Sequence, residues 1–151
     1  MNKLLYILIA IAVIIVIAFF VLGMLSKKGQ ALGLKEWHLQ ACISTENCVI
    51  SEVIDNHPAT IESLTFSQEK PVFMDKLKTA IEAMGGEIVT SDSSYIASTF
   101  TSGVFGFVDD VEFRITDDQQ LHFRSSSRVG RKDFGANKKR IEQLKALLAD
   151  Q

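Results

Sequence analysis

Three carboxylates, Asp109, Asp110 and Glu112, lie close together, and arginines follow at positions 114, 124, 128 and 140. In an extended strand, alternate side chains share a face, so Asp110 and Glu112 would stand about 7 Å apart on one side. That separation falls within the range used by paired carboxylates in acid–base chemistry, at roughly 5–9.5 Å. An enzyme working through Asp109, Asp110, Glu112 and Arg128 is therefore one reading. The competing reading is structural, because Arg114, Arg124 and Arg128 have the same strand parity and would neutralise the carboxylates.

The second constellation runs Arg124-Ser125-Ser126-Ser127-Arg128-Val129-Gly130-Arg131-Lys132 and leads to Asn137, a residue type suited to capping a helix N-terminus. Free N–H groups and the positive end of the helix dipole attract anions there. Arginine adds bidentate contacts and lysine adds a point charge. The candidate ligand set is Arg124, Ser125, Ser127, Arg128, Gly130, Arg131, Asn137 and Arg140. A phosphate, a carboxylate or a lipid headgroup would suit it. The structural alternative pairs Arg124 with Glu112, sets Arg128 near Asp110, and leaves Asp133 and Asn137 to cap the loop and the helix.

His38, Cys42, Cys48 and His57 form a third group. The six-position step between the cysteines permits a local disulfide in an oxidising compartment. A zinc finger would separate its cysteines by two to four residues, and here five intervene, with the histidines in the wrong order. A disulfide is expected, and no metal or other cofactor. The chain has no Walker loop, nucleophile elbow, H-E-x-x-H helix or dinucleotide fingerprint. All 18 acidic residues but only 13 of the 16 basic ones follow Lys28, giving that portion a formal net charge of −5. Nucleic acid is not expected as a partner of so acidic a domain. Within it charge is segregated: Arg124 to Lys145 holds eight basic residues against Asp133 and Glu142.

These side chains must be positioned by a chain of 151 residues, enough for one domain plus an appendage. Leu4 to Leu25 is an uncharged apolar run of 22 residues. As a helix it would be about 33 Å long, enough to cross a hydrocarbon core of about 30 Å. A cleavable signal peptide usually has only about 7–15 such residues. Residues 1–28 are therefore expected to be a transmembrane anchor with short flanks. Residues 29–60 are expected to be a linker and a cysteine-containing cap of mostly irregular structure. Residues 61–151 are expected to be an α+β domain forming one globular unit with the cap. The flanking lysines are nearly balanced across the anchor, and the cysteine pair favours export. The expected location is a bacterial inner membrane, single-pass, with the C-terminal domain extracytoplasmic.

Ile61 to Phe66 reads as a strand, followed by a helix from about Lys70 with Pro71 in its first turn. Phe73, Leu77, Ala80, Ile81 and Met84 make its buried stripe, and Gly85-Gly86 stops it. Strands follow at 87–90, 95–101, 106–116 and 120–127. Apolar side chains of the last two share a face only if paired positions keep the same parity. A three-residue loop, Asp117-Asp118-Gln119, satisfies this and sets Phe113 opposite Phe123, Ile115 opposite Leu121, Glu112 opposite Arg124 and Asp110 opposite Ser126. A final helix from about Asn137 would bury Ile141, Leu144, Leu147 and Leu148. The order β-α-β-β-β-β-α predicts a small antiparallel sheet with two helices on one face.

Phe107-Val108-Asp109-Asp110-Val111-Glu112-Phe113-Arg114, then Arg124 to Gly130, resembles an uncharacterised bacterial and plastid family, domain of unknown function 1499. Asp133, Gly135, Asn137 and Arg140 continue that pattern, as does Asn47-Cys48-Val49 with Cys42. The resemblance spans roughly Leu39 to Leu148 and implies a compact domain, often exported or membrane-attached, with no established activity. The expected function is non-enzymatic: a membrane-anchored domain whose basic C-terminal segment binds an anionic ligand, a lipid headgroup or an envelope partner.

Overall fold

A computed structural model describes residues 2–54, 58 and 60–149. Helix α1, Lys3–Ser26, takes up the whole apolar run; only Gly23 and Ser26 are buried in it. At 24 residues it is about 36 Å long, long and apolar enough to cross a membrane.

The rest of the chain is an α+β domain. After α1 come β1 (Leu34–Lys35), β2 (His38–Leu39), β3 (Cys48–Ile50), β4 (Leu64–Thr65) and α2 (Lys70–Ala83). Then follow β5 (Glu87–Ser91), β6 (Tyr95–Thr101), β7 (Val108–Ile115), β8 (Gln120–Ser127) and α3 (Ala136–Ala149). The main sheet is antiparallel in the order β3-β8-β7-β6-β5, with β4 also paired to β8. The segment read as irregular thus contributes an edge strand: Cys48–Ile50 pairs with Arg124 to Ser126. With only three residues, it is too short to show periodicity.

The β7–β8 register follows from side-chain parity. Phe113 pairs with Phe123, Ile115 with Leu121, Glu112 with Arg124 and Asp110 with Ser126. The three-residue loop closes with Gln119 at φ 62° and Thr116 N–H donating to Gln120 O at 3.0 Å. A residue in the left-handed region ends such loops, because the local twist then matches that of the strands.

Helix α2 begins on Lys70-Pro71 and buries Phe73, Met74, Leu77, Ala80 and Ile81. It stops as expected: Gly85, at φ 81°, donates to Glu82 O, and Gly86 N–H donates back to Ile81 O at 2.9 Å. With α3 it covers one sheet face, where Ile96, Val111, Phe113, Ile115, Leu121 and Phe123 meet Leu77, Ile81, Ile141 and Leu144. Two details of α3 differ from expectation. Leu147 is 38% exposed. Asn137 is not the cap but a fully buried residue inside the helix. Asp133 takes the capping role, its carboxylate accepting from Gly135 N–H at 3.0 Å and Asn137 N–H at 2.8 Å.

The second sheet face is also covered. Within residues 31–54, the parts flanking β3 fold over this face, and Leu39, Ile50, Tyr95 and Ala97 form a smaller core there, flanked by Ala31, Leu34, Cys42 and Ile54. Cys42 and Cys48 are joined in a disulfide, with 5.8 Å between Cα atoms. Both sulfurs are therefore taken up in that bond, which removes the thiolates a Cys2His2 metal site would need. His57 lies outside the described residues.

Candidate functional site: arginine–carboxylate networks and the exposed basic loop

The polar face of β7 and β8 lies beneath the 31–54 segment, so its charges are buried together. Glu112 is fully buried and accepts from Arg124 Nη1 at 2.9 Å, Tyr95 Oη at 2.7 Å and Gly33 N–H at 2.8 Å. Arg124 is 3% exposed, and its Nε has no partner among the described residues. Burial first, and the hydrogen bond to Glu112 second, push the Tyr95 hydroxyl well above its ordinary pKa. Deeper along the face, Glu52 accepts from Arg114 Nε at 2.5 Å and Leu39 N–H at 3.0 Å. His122 Nδ1 lies 3.8 Å from Glu52. Burial, assisted by Arg114, holds the His122 ring below its ordinary pKa despite the opposing pull of Glu52.

Arg128 completes this face and ties it to α1. It grips Asp110 bidentately, Nε at 2.9 Å and Nη2 at 2.7 Å. Its remaining nitrogen, Nη1, donates to Ser26 O at 3.2 Å and Lys27 O at 3.5 Å. Those carbonyls lie at the negative end of the α1 dipole, Ser26 O also accepting from Gly29 N–H at 3.3 Å, so a guanidinium stabilises them. Ser26 Oγ in turn accepts from Val108 N–H at 3.0 Å. The last turn of α1 is thereby fixed to the start of β7 and the end of β8.

A separate network lies on the helix-bearing face. Arg140 Nη2 donates to Asp109 Oδ2 at 2.6 Å, and Nη1 reaches Asn137 Oδ1 at 2.7 Å and Ser125 Oγ at 3.1 Å. Asn137 Nδ2 donates to Asn47 O and to Ser127 Oγ, each at 3.0 Å. Asn47 Nδ2 donates to Gly130 O at 2.6 Å, holding the loop after β8.

The candidate anion ligands therefore fall into three places. Ser125, Ser127, Asn137 and Arg140 lie on the helix face. Arg124 and Arg128 lie on the opposite face, each committed to a carboxylate. Gly130 and Arg131 lie in the loop between β8 and α3. The acidic cluster is divided in the same way, Asp109 from Asp110 and Glu112, and every carboxylate in it is paired with an arginine. The cavities between Leu32 and Ile54 and around Thr60 to Ser63 are lined by other residues. Chemically, this arrangement locks strands, helix and cap together.

Exposed basic groups stand in the loop between β8 and α3. The Arg131 side chain is 85% exposed and that of Lys132 58%; they share the single carboxylate of Glu46, which accepts from Arg131 Nε at 2.9 Å and lies 3.4 Å from Lys132 Nζ. Phe134, between them and α3, is 97% exposed with φ 53°. Lys138 and Lys139 are exposed on the first turn of α3. At the opposite end of the sheet stand Asp92, Asp117 and Asp118, in the β5–β6 and β7–β8 turns. The charge segregation read along the chain thus becomes a polarity along the sheet. Sequence reasoning missed Glu52, Tyr95, Ser26 and Phe134. Only Phe134 had a signal, as a lone aromatic among basic residues next to a glycine.

Comparison with curated proteins gives no match. A family model described as a protein of unknown function, DUF1499, matches residues 38–148, from the start of β2 almost to the end of α3, and the chain belongs to that family.

Proposed function

We propose that this protein is a single-pass, membrane-anchored domain of the bacterial inner membrane. It faces the extracytoplasmic side, has no catalytic role, and engages anionic phospholipid headgroups through its basic C-terminal segment. The observation that carries this reading is the exposed loop Arg131-Lys132-Asp133-Phe134, which begins three residues after Arg128 clasps the carbonyls at the end of α1. With α1 in a bilayer, that loop starts at the membrane surface. Arg131, Lys132, Lys138 and Lys139 then supply the cations, and Phe134 an apolar ring to bury at the headgroup–acyl boundary. Of the residues expected to bind an anion, Arg131 keeps this role; Arg124, Ser125, Ser127, Arg128, Gly130, Asn137 and Arg140 build the scaffold behind it. Export is supported by the Cys42–Cys48 disulfide, since such bonds persist in oxidising compartments.

The test uses full-length protein in nanodiscs of phosphatidylcholine alone or mixed with phosphatidylglycerol, with amide hydrogen exchange as the readout. Residues 130–139 should gain protection only with the anionic lipid, and lose it in high salt, where the Debye length falls to about 3 Å at 1 M. Each basic residue near such a surface contributes about 1 kcal/mol, so R131E/K132E should cost at least about 2 kcal/mol, roughly thirtyfold. Equal exchange in the two lipids would overturn the reading.

A further inference from the structure

We infer that the β6–β7 loop, Ser102 to Phe107, is a second membrane contact, a short apolar wedge inserted among the acyl chains beside the last two turns of α1. This rests on α1 being a membrane anchor. The loop does not stop at the end of α1 but runs back along it. Phe105 stacks on Phe19 at 5.1 Å between ring centroids and meets Phe20 edge-on at 5.2 Å; Phe107 meets Phe19 at 6.3 Å. Phe19 precedes Ser26 by seven residues, which is about 10 Å along a helix axis. The apolar run continues to Leu25 and the first charge is Lys27. A bilayer that accommodates this run therefore places Phe19, and the Phe105 ring packed against it, inside the hydrocarbon.

The loop has the chemistry this depth demands. Ser102 to Val108 contains no charged residue. The base of the loop is bonded internally: Ser102 N–H to Phe107 O at 2.8 Å, Gly106 N–H to Ser102 O at 3.2 Å and Phe107 N–H to Ser102 Oγ at 2.9 Å. Irregular backbone is tolerated in a bilayer only when its polar groups are satisfied or packed on protein. Phe105 O supplies the packing, lying where a Cβ on Gly23 would come within 1.9 Å of it. Only glycine permits this approach. Val104, at the tip, is 73% exposed, a large apolar side chain that the protein leaves bare. Its occupant is lipid, because the surface it extends is the lipid-facing side of α1.

The experiment places a single tryptophan in a W37F background of the full chain, at F105W, V104W or, as a depth control, F19W. The protein is reconstituted into vesicles with or without brominated acyl chains. Expected is quenching of F105W and V104W by bromolipid comparable to that of F19W, with blue-shifted emission and little quenching by aqueous iodide. V104W guards against misfolding at position 105, because its side chain is exposed. Quenching of F19W alone, with V104W and F105W open to iodide, would overturn the loop insertion and leave the anchor standing. No bromolipid quenching at any of the three positions would overturn both.

Discussion

Replacing Glu112 with leucine tests whether the buried charge network, beside the small apolar core of Leu39, Ile50, Tyr95 and Ala97, holds the 31–54 segment onto the sheet. Glu112 is fully buried and satisfies Arg124, Tyr95 and Gly33 at once. E112L leaves the Arg124 guanidinium, whose side chain is 4% exposed, without its counter-charge. Breaking a buried pair from one side costs about 3–5 kcal/mol. The stranded Tyr95 hydroxyl and Gly33 N–H push the loss to the top of that range, since each unsatisfied donor costs about 1–3 kcal/mol. R124M should cost less, about 2–3 kcal/mol, because the remaining carboxylate keeps two donors. The double variant E112L/R124M removes both charges and should be more stable than E112L alone. Unfolding of the full chain in detergent, followed by near-ultraviolet circular dichroism of the packed aromatics, measures all three. A loss below about 1 kcal/mol for E112L, or a double variant at least as unstable as E112L, would refute the reasoning.

Three further outcomes follow from the same geometry. His122 has a depressed pKa in the folded protein, so stability is fully present above about 6.5, its unfolded value, and declines as pH falls below it; NMR titration should place the ring below that value, and H122Q should flatten the acid limb. Tyr95 has a raised pKa, so its contribution is intact below about pH 10 and lost as pH rises above it; absorbance of tyrosinate from Tyr95 should appear only with unfolding, a transition that Y95F removes. G23V would drive a side chain into Phe105 O and separate Ser26 Oγ from Val108 N–H; exchange at Val108 should rise by roughly tenfold, equivalent to about 1.4 kcal/mol, while Phe113 and Phe123 stay protected.

The sequence by itself determined whatever depends on local period and composition. The uncharged run from Leu4 to Leu25 could only be a long apolar helix. Pro71 and Gly85-Gly86 bounded α2. Strand parity fixed the β7–β8 register, since any odd shift would turn Phe113 and Phe123 away from their shared core. The same parity already separated Ser125 and Ser127 from Arg124 and Arg128, an implication that the proximity of these residues in sequence obscured. Tertiary structure alone decided what lies over each face. A polar strand face reads as solvent-exposed, because local periodicity carries no information about a segment some eighty residues away. Gly33, Leu39 and Glu52 close over Glu112 and Arg114 through contacts of long sequence separation, and so convert a surface ion-pair ladder into a buried one. The fate of the carboxylates at 109, 110 and 112 was decided in the same way: their types and spacing suit acid–base chemistry, and the arginines that fold against them, Arg140, Arg128 and Arg124, bind them into the scaffold instead.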